Sequence, residues 1–595
     1  MWQVVSDRSF YLKAAETLQT NAGQLAAYNS EGHCVVMAGP GSGKTKTLTI
    51  KLAKMLAEDV QEPRGLACIT YNNECARELE DRLSSLGVEP SRRVFIGTVH
   101  SFSLTQIVMP YAKTANLDLP DDFGIATRTE MAQALEQAYN VVIGGPENPQ
   151  RWSSRMSQYR RSVLNRKHAS WQRDPQLAAL VETYEANLRR MGLIDFDDMP
   201  LLAVRALHEN EWLPKAIQAK YPILVIDEYQ DLGRALHRMV MGLCFSAGLR
   251  LFAVGDPDQS IYGFNGAQPQ LLEALSRRDD IETVRLRLNY RCGSSIVTAS
   301  NVALGEERDY SAVDGAEQGT IYFHPQAGNY GDHAEFVFSE LLPDILARTP
   351  ELNIGDIAIL YPAANFGDFL AQSAEQYGYS FLRTDGNALY PRSSKIMRWL
   401  ERCAQWCCDG WKSGTPRYSH ITNEGTRMFT ETLTNDADRL EFQRQLLSTL
   451  DKMKDGTLRL EVWIEKIKEN ILDDLLSRSR TLQDDGEVLS SFLENISVGG
   501  DYENLSVGQF SGFGKNCDCI NLSTLHSSKG REFSVVIMFG MDAGKIPWNN
   551  PSDQQLAESR RLFYVGFTRA KSELHMVYSA SSPSRFVTEL NERIT

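Results

Sequence analysis

Short apolar runs that end in polar residues recur along the chain. The first covers residues 34–37, and similar runs cover residues 66–70, 94–99, 223–226 and 251–254. Continuous apolar runs of this length are typical of strands that are buried on both faces of a parallel sheet. Between them lie segments with helical apolar spacing. This alternation predicts an α/β fold with parallel sheets.

The segment after the first apolar run is rich in glycine. It reads Ala38-Gly39-Pro40-Gly41-Ser42-Gly43-Lys44-Thr45 and opens a segment with helical spacing. Glycines let consecutive backbone N–H groups turn towards phosphates, the lysine reaches the terminal phosphates, and the threonine can bind Mg²⁺. Ala38 stands where the pattern usually has glycine, a small exchange that leaves the turn feasible. A chance glycine-rich turn is the alternative, but the flanking strand and helix favour a phosphate loop.

Two further features point to nucleotide chemistry. The apolar run 223–226 delivers Asp227 and Glu228, a pair in which one carboxylate can hold Mg²⁺ and the next can polarise water. Gln24 lies one short helix before the phosphate loop, and its amide can donate and accept at the edge of adenine. Taken alone, a glutamine is more often a surface residue. The polar ends of runs 66–70 and 94–99 could line a substrate groove or could simply cap loops.

Residues 105–192 are helical in pattern and locally basic. Seven lysines and arginines lie between positions 151 and 173, where there is no acidic residue, and aromatic residues are interleaved with them. We interpret this segment, including Arg160 and Arg161, as a surface that follows nucleic-acid phosphates. The alternative is an ordinary solvated helix face.

Composition narrows the class of protein. The chain has 595 residues, 42% of them hydrophobic and 23% charged, and a net charge of −14. That charge argues against a uniformly basic nucleic-acid binder but allows a local basic track. No apolar run approaches the roughly 20 residues of a membrane span, and the N-terminus lacks a signal-peptide pattern. We therefore expect a cytoplasmic protein without a membrane partner.

The ten cysteines contain no CxxC pair, and we expect them to be reduced. One grouping could suggest a metal site, namely Cys403, Cys407 and Cys408 together with Cys517 and Cys519. Its spacing matches no common zinc pattern, and buried thiols are frequent core residues.

The order of the motifs resembles superfamily 1 helicases of the UvrD, PcrA and Rep type over nearly the whole chain. The segments that carry the resemblance are 38–45, 227–231, 251–267, 286–291, 520–533 and 558–571. There are departures. Phe264-Asn265 stands where the family usually has Trp-Arg, so a base can still stack but a cation is lost. Lys46 replaces an arginine found near the adenine in many relatives, and Pro362 replaces an arginine.

The resemblance implies a role for each matching residue. Asp227 is the Mg²⁺ ligand, Glu228 the catalytic base, and Gln259 the sensor of the terminal phosphate. Tyr290 stacks on adenine near Gln24 and Lys46, Glu532 holds the ribose, and Arg291 and Arg569 reach the γ-phosphate. The implied contacts to single-stranded DNA are Tyr71, Thr98, His100, Tyr262, Phe264, Thr524, His526 and Ser527.

The implied architecture is two RecA-like P-loop domains with parallel sheets, each carrying a mainly helical insertion. The first domain would comprise residues 1–104 and 193–283 with insertion 105–192, and the second 284–400 and 515–595 with insertion 401–514. The second insertion is shorter than in well-known relatives and partly acidic, which suggests that it docks a protein.

The implied function is an ATP- and Mg²⁺-dependent DNA helicase or translocase, moving 3′ to 5′ on single-stranded DNA and acting at single/double-strand junctions. The pathway could be DNA repair, replication or antiviral defence. A different class remains open: an ATP-switched DNA-binding or sensor subunit that works beside a separate nuclease, as in anti-phage defence. An ATPase that acts only on protein is disfavoured by the DNA-side motifs.

Overall fold

The computed structural model describes residues 8–88, 93–164, 166, 168–391, 393–500, 502–512 and 519–594. The chain divides into two compact units. The first unit contains Met1–Ile321, Ile546–Ser572 and Arg585–Thr595, and the second unit contains Tyr322–Lys545 and Glu573–Ser584. The division into two domains with two insertions, made from the sequence, stays a prediction.

The first unit is built on a six-stranded sheet. Its strands are β1 (Cys34–Ala38), β2 (Leu66–Thr70), β3 (Val94–Thr98), β4 (Ile223–Ile226), β5 (Arg250–Gly255) and β6 (Glu282–Leu286). They lie in the order β3-β2-β4-β5-β1-β6, and all five pairings are parallel. The carboxyl ends of β1, β4 and β5 therefore meet at one edge of the sheet, which is where ligands bind in open α/β sheets.

Both faces of this sheet are buried, as the apolar runs predict. Along β1, Val35 belongs to one hydrophobic core, whereas Cys34 and Val36 belong to the core on the other side. Successive side chains of a strand point to opposite faces, so two cores require a run without polar interruptions.

Helices cover both faces of the sheet and form most of residues 105–192. In the first unit the α-helices are Arg8–Glu16, Ala22–Asn29, Lys44–Lys54, Asn73–Ser85, Val99–Phe102, Met109–Tyr111, Arg128–Val142, Ser153–Ser162, Pro175–Arg190, Asp198–Glu209, Trp212–Lys220, Arg234–Val240, Gln270–Ser276, Ser294–Leu304, Asp553–Phe567 and Arg585–Ile594. Two short parallel pairs join Gly124–Ile125 to Leu193–Ile194 and Leu288–Asn289 to Ser311–Ala312.

Another six-stranded sheet lies mainly in the second unit. Its strands are β7 (Thr320–Gln326), β8 (Ile357–Tyr361), β9 (Phe381–Arg383), β10 (Ile520–Thr524), β11 (Phe533–Phe539) and β12 (Ala570–Ser579). Their order is β7-β12-β11-β8-β10-β9, and β8 pairs in parallel with both β10 and β11. The two sheets confirm the predicted α/β fold of two RecA-like domains.

Helices in the second unit flank the sheet and form a separate bundle. They are Tyr330–Phe336, Leu342–Arg348, Ala364–Gln376, Lys395–Gln405, Trp411–Ser413, Tyr418–Met428, Asp436–Asp451, Leu460–Ile467, Asp473–Arg478, Gln483–Ile496 and Val507–Ser511. The bundle from residue 395 onwards has its own core around Trp399 and Trp463. Across the ranges that the structure describes, no helix combines the length and apolar character needed to cross a membrane.

Candidate nucleotide and DNA sites

The phosphate loop forms a tight cradle at the carboxyl end of β1. Gly41 and Gly43 have φ values of +68° and +80°, a region that favours glycine. A Cβ on Gly43 would lie 2.6 Å from Gln24 Nε2. Ser42 Oγ donates to Gly39 O at 2.7 Å and closes the turn. The helix Lys44–Lys54 starts here without a side-chain cap, so its first-turn N–H groups suit an anion.

Lys44 supports the assignment of a phosphate site. Its Nζ is buried, has no hydrogen-bond partner among the residues that the structure describes, and lies 3.7 Å from Glu228 Oε1. A buried ammonium with open donors costs free energy unless an anion satisfies it. The loop and this lysine therefore fit the phosphates of a nucleotide. Of the other loop residues, Ala38 and Pro40 are buried, Thr45 is half-buried and Lys46 is exposed.

The carboxylate pair follows β4 in a conformation that sequence patterns do not show. Asp227 is 5% exposed; burial, and next the charge of Glu228, raises the pKa of Asp227 to about 7. Glu228 has a φ of +53°, a left-handed conformation that is costly for a residue with a side chain and is enriched at functional sites. An oxygen ligand set of Asp227 and Thr45 is the kind that Mg²⁺ prefers.

A chain of hydrogen bonds connects Glu228 with Gln259. Gln230 Nε2 donates to Glu228 Oε2, and Gln230 Oε1 accepts from the backbone N of Asp256 at 2.9 Å. Asp256 Oδ2 in turn accepts from Gln259 Nε2 at 2.5 Å. Gln230 and Asp256 are fully buried. The predicted base and the predicted phosphate sensor are therefore held in one network.

Gln24 and Tyr290 both lie beside the phosphate loop. Gln24 is buried and its Nε2 donates to Ser42 O at 2.9 Å, so the amide is held against the cradle. The ring of Tyr290 is 45% exposed, and its backbone N donates to Gly41 O at 2.8 Å. Asn21 links the two: it caps the helix of Gln24, and its Nδ2 donates to Tyr290 Oη at 2.9 Å. The sequence did not single out this asparagine.

The two predicted arginine fingers meet in the first unit. Arg569 is 1% exposed, and its Nε donates to Val565 O at 2.9 Å. Burial, and then the charge of Arg291, lowers the pKa of Arg569 to about 9. Asn289 orients Arg291, because Asn289 Oδ1 accepts from the backbone N of Arg291 at 2.8 Å. Arg291 is half-buried, and two cations that influence each other in this way suit a multiply charged anion.

The aromatic residues predicted to contact DNA form one platform. Tyr71 and Tyr262 stack with ring centroids 4.7 Å apart, and Phe264 meets Tyr262 edge-on at 6.1 Å. Phe264 is 60% exposed, which is unusual for so large an apolar ring and leaves a face for stacking. Tyr71 and Tyr262, by contrast, stack on each other, so each ring covers a face of the other.

Thr98 and His100 follow β3. The Thr98 hydroxyl caps the short helix Val99–Phe102 by accepting from Ser101 N at 3.2 Å. Burial lowers the pKa of His100, and its ring contacts the exposed ring of Phe196 at 6.2 Å. The lowered pKa favours the neutral ring of His100, which can donate or accept a hydrogen bond.

Arg160 corrects the interpretation of the basic segment. Its side chain is buried, with Nη1 2.6 Å from Asp195, Nη2 2.7 Å from Asp198 and Nε 2.9 Å from Glu185. Burial alone would raise the pKa of Asp195, but the Arg160 charge lowers it. The expectation that Arg160 faces DNA is wrong in this structure, because carboxylates already neutralise it.

Other residues of the basic segment are also engaged in ion pairs or core packing within the protein. Arg166 pairs with Glu185, Arg155 with Asp174, and Trp171 is buried in the core of the helical segment. Arg161 differs from these residues, because its side chain is 38% exposed and reaches towards the platform. Its role as a DNA contact stays a prediction.

In the second unit, the predicted DNA contacts lie at the carboxyl end of β10. Thr524 Oγ1 donates to Ser527 Oγ at 2.9 Å and accepts from Ser527 N at 3.2 Å. Burial lowers the pKa of His526, which favours the neutral ring. Glu532 belongs to the same unit, one residue before β11.

The cysteine grouping does not form a metal site in the described part of the chain. Cys403 and Cys407 are buried in the hydrophobic core of the helical bundle, and burial raises the pKa of both thiols. Cys517 lies outside the described residues. Elsewhere among the described residues, no three His, Cys, Asp or Glu side chains come together as metal ligands would.

Comparison with known proteins identifies the family. The UvrD/REP helicase N-terminal domain matches residues 19–279, and the UvrD-like helicase C-terminal domain matches residues 413–581. The ATP-dependent DNA helicase Rep of Escherichia coli (strain K12) is 28% identical over 96% of this chain and 94% of Rep. The ATP-dependent DNA helicase PcrA of Staphylococcus aureus (strain Mu50) is 24% identical over 96% of this chain and 86% of PcrA. The chain belongs to the UvrD/Rep family of ATP-dependent DNA helicases, and the separate class of sensor subunit is not favoured.

Proposed function

We propose that this helicase translocates 3′ to 5′ on single-stranded DNA and uses Mg²⁺ with ATP. The observation that carries the coupling of ATP to DNA in this proposal is the buried hydrogen-bond chain from Glu228 through Gln230 and Asp256 to Gln259. Three residues after Gln259 comes Tyr262, which belongs to the aromatic platform. A change at the terminal phosphate can thus reach the DNA side through a short, rigid stretch of chain.

Each predicted residue has a role in this proposal. Lys44 and the loop from Ala38 to Ser42 bind the phosphates, with Gly43 providing the turn, and Thr45 and Asp227 hold Mg²⁺. Bound Mg²⁺ supplies charge neutralisation at the phosphates. Glu228 takes the proton of the attacking water, and Arg291 and Arg569 stabilise the charge that develops during transfer.

The remaining assignments concern the base, the ribose and DNA. Tyr290 stacks on adenine while Gln24 reads its edge, with Lys46 nearby, and Glu532 binds the ribose. Phe264 stacks on a DNA base, supported by Tyr262 and Tyr71. The polar DNA contacts are Thr98, His100, Arg161, Thr524, His526 and Ser527.

The architecture and setting are part of the same proposal. Residues 1–104 with 193–283, and 284–400 with 515–595, would be the two RecA-like domains, with insertions 105–192 and 401–514. The protein would act in the cytoplasm at single/double-strand junctions. A protein partner such as a nuclease could dock on the acidic second insertion.

The test measures ATP hydrolysis with and without single-stranded DNA, and unwinding of duplexes with a 3′ or a 5′ tail. We expect hydrolysis to rise with single-stranded DNA and unwinding to require the 3′ tail. Lys44→Ala is the matched negative control, because it removes the phosphate-binding ammonium. The proposal would be contradicted if single-stranded DNA left the rate of ATP hydrolysis unchanged, or if duplexes with a 5′ tail were unwound as well as those with a 3′ tail.

A further inference from the structure

Two backbone groups between the nucleotide and DNA sides are held by one helix. Gly263 N donates to Glu558 Oε1 at 2.8 Å, and Arg561 Nε donates to Ser260 O at 2.7 Å. Glu558 and Arg561 are three residues apart on the helix Asp553–Phe567, so both side chains project from the same face. Both ends of the short segment 260–263 are therefore fixed to this helix.

This segment is the covalent link between the predicted phosphate sensor and the platform. Gln259 precedes it, and Tyr262 and Phe264 lie within or just after it. On its other side, Ser260 Oγ donates to Gln230 O at 3.1 Å. The segment is thus held between the carboxylate-bearing turn after β4 and the helix Asp553–Phe567.

The same helix leads into the buried arginine. Arg569 follows two residues after Phe567, and its Nε bonds to Val565 O in the last turn. A helix is stiff and rises about 1.5 Å per residue, so Arg561 and the helix end at Phe567 are about 9 Å apart along its axis. A shift of Arg569 would act on the last turn through its hydrogen bond to Val565 O, and Glu558 and Arg561 would move with that helix.

The absence of a side chain at position 263 fits this contact. A Cβ built on Gly263 would lie 2.6 Å from Glu558 Oε2 and 2.9 Å from its Cδ. The φ of Gly263 is not in the left-handed region, so an alanine could adopt the backbone there. The glycine therefore provides room for the carboxylate and is not needed for the turn.

We propose that Glu558, with Arg561, is a positioning residue that couples the ATP site to DNA by holding segment 260–263 on the helix Asp553–Phe567. The inference rests on the proposed function, because it assigns a route for the coupling. Glu558 touches neither nucleotide nor DNA in this proposal. Glu558 holds the platform in a fixed position relative to the helix that leads to Arg569.

The experiment compares the ratio of DNA-stimulated to basal ATPase in wild type, Glu558→Ala, Glu558→Gln, Gly263→Ala and the double variant Glu558→Ala with Gly263→Ala. Hydrogen bonds to charged groups are strong enough that Glu558→Ala should lower the ratio about tenfold. Basal hydrolysis and single-strand affinity should stay within about twofold of wild type, because no group that binds ligand is removed. Glu558→Gln should recover most of the ratio, since its amide oxygen still accepts from Gly263 N.

Gly263→Ala disrupts the same contact at its other residue, because the methyl group displaces the Glu558 carboxylate. It should lower the ratio of DNA-stimulated to basal ATPase by a similar factor. The ratio in the double variant should be no lower than the ratio in the more impaired single variant. Gln554→Ala, an exposed change on the same helix, is the matched control, and thermal melting reports folding in every variant.

The outcomes separate the inference from the proposed function. If wild type itself shows no stimulation by single-stranded DNA, the proposed function fails. If wild type is stimulated and Glu558→Ala keeps its ratio, or the two single losses multiply in the double variant, the coupling role is wrong. A loss in Glu558→Ala that Gln does not recover, and that follows a lower melting temperature, would also overturn it.

Discussion

Arg160 and Arg161 are adjacent in sequence but should respond to mutation in opposite ways. Replacing either with methionine keeps most of the side-chain volume and removes the charge. Among the described residues, the donors that Arg160→Met would leave to the buried Asp195 are uncharged: Tyr184 Oη at 2.9 Å and the backbone N of Asp198. Arg161→Met would remove a partly exposed cation whose carboxylate partner is Asp197, at 2.7 Å.

The size of the Arg160 effect follows from its burial. Breaking a buried ion pair by removing one partner costs about 3–5 kcal/mol, because the other charge stays desolvated. Arg189 Nη2 remains 2.9 Å from Asp198, which relieves part of that cost. At about 2–4 °C per kcal/mol for a domain of 150–250 residues, the melting temperature should fall by about 10 °C. The effect should be concentrated in residues 128–198.

The experiment measures two properties of each variant: its stability and the salt dependence of its DNA binding. Differential scanning calorimetry and hydrogen exchange report stability, and they do not need a two-state transition for the whole chain. Titration of single-stranded DNA at several salt concentrations reports phosphate contacts. Arg161→Met should flatten the logarithmic salt slope by about 0.7, the contribution of one phosphate on a single strand. Arg160→Met should lower stability and leave the slope unchanged in the folded protein.

The reverse pattern would refute this reasoning. If Arg160→Met melts like wild type and lowers the salt slope, then Arg160 leaves its carboxylates to bind phosphate. Arg155→Met, which removes an exposed cation paired with Asp174 2.6 Å away, is the matched control for loss of charge without loss of a buried network. It should change the melting temperature little, since exposed pairs contribute about 0–1 kcal/mol.

Three further predictions concern other parts of the first unit. Arg569→Ala should lower the turnover of ATP by roughly 10³ to 10⁵ while sparing nucleotide binding, and equal losses in both would contradict a transition-state role. Phe264→Ala should cost about 1–3 kcal/mol of single-strand affinity, measured by anisotropy, whereas unchanged binding with a lower melting temperature would make the ring structural. Burial lowers the pKa of Lys51 to about 8. The unfolded chain then binds more protons between about pH 8 and 10.5, so stability should rise with pH there relative to Lys51→Met, and denaturant titrations would show this.

The parts of the site that the sequence predicts are local in the chain. The phosphate loop, the carboxylate pair after β4 and the parallel strands each follow from residues within one short segment, where glycine conformation and apolar runs decide the structure. The platform was assigned through resemblance, and its mutual stacking of Tyr71 on Tyr262 joins distant segments. The left-handed conformation of Glu228 depends on its surroundings and has no glycine to mark it.

The parts that sequence reasoning missed depend on distant partners. Arg160 lies in a stretch without acidic residues, but its carboxylates are supplied from 25 to 38 positions later in the chain. Counting charge within a window cannot detect such pairing, so the segment looked more basic than its surface is. Gly263 and Glu558 are separated by 295 positions, and nothing near either residue marks the contact.

The departure from the family at Phe264-Asn265 also acquires a physical explanation. An asparagine at position 265 removes a cation from the edge of the platform, but Arg161 Nη1 lies 3.3 Å from Asn265 O. The guanidinium of Arg161, from the helix Ser153–Ser162, thus occupies that edge while Asp197 holds its Nε at 2.7 Å. Asp197 offsets part of the charge, so the cation is better suited to positioning a phosphate than to strong attraction. The helical segment and the platform would then bind DNA as one surface, and the loss of an arginine from the motif need not weaken binding.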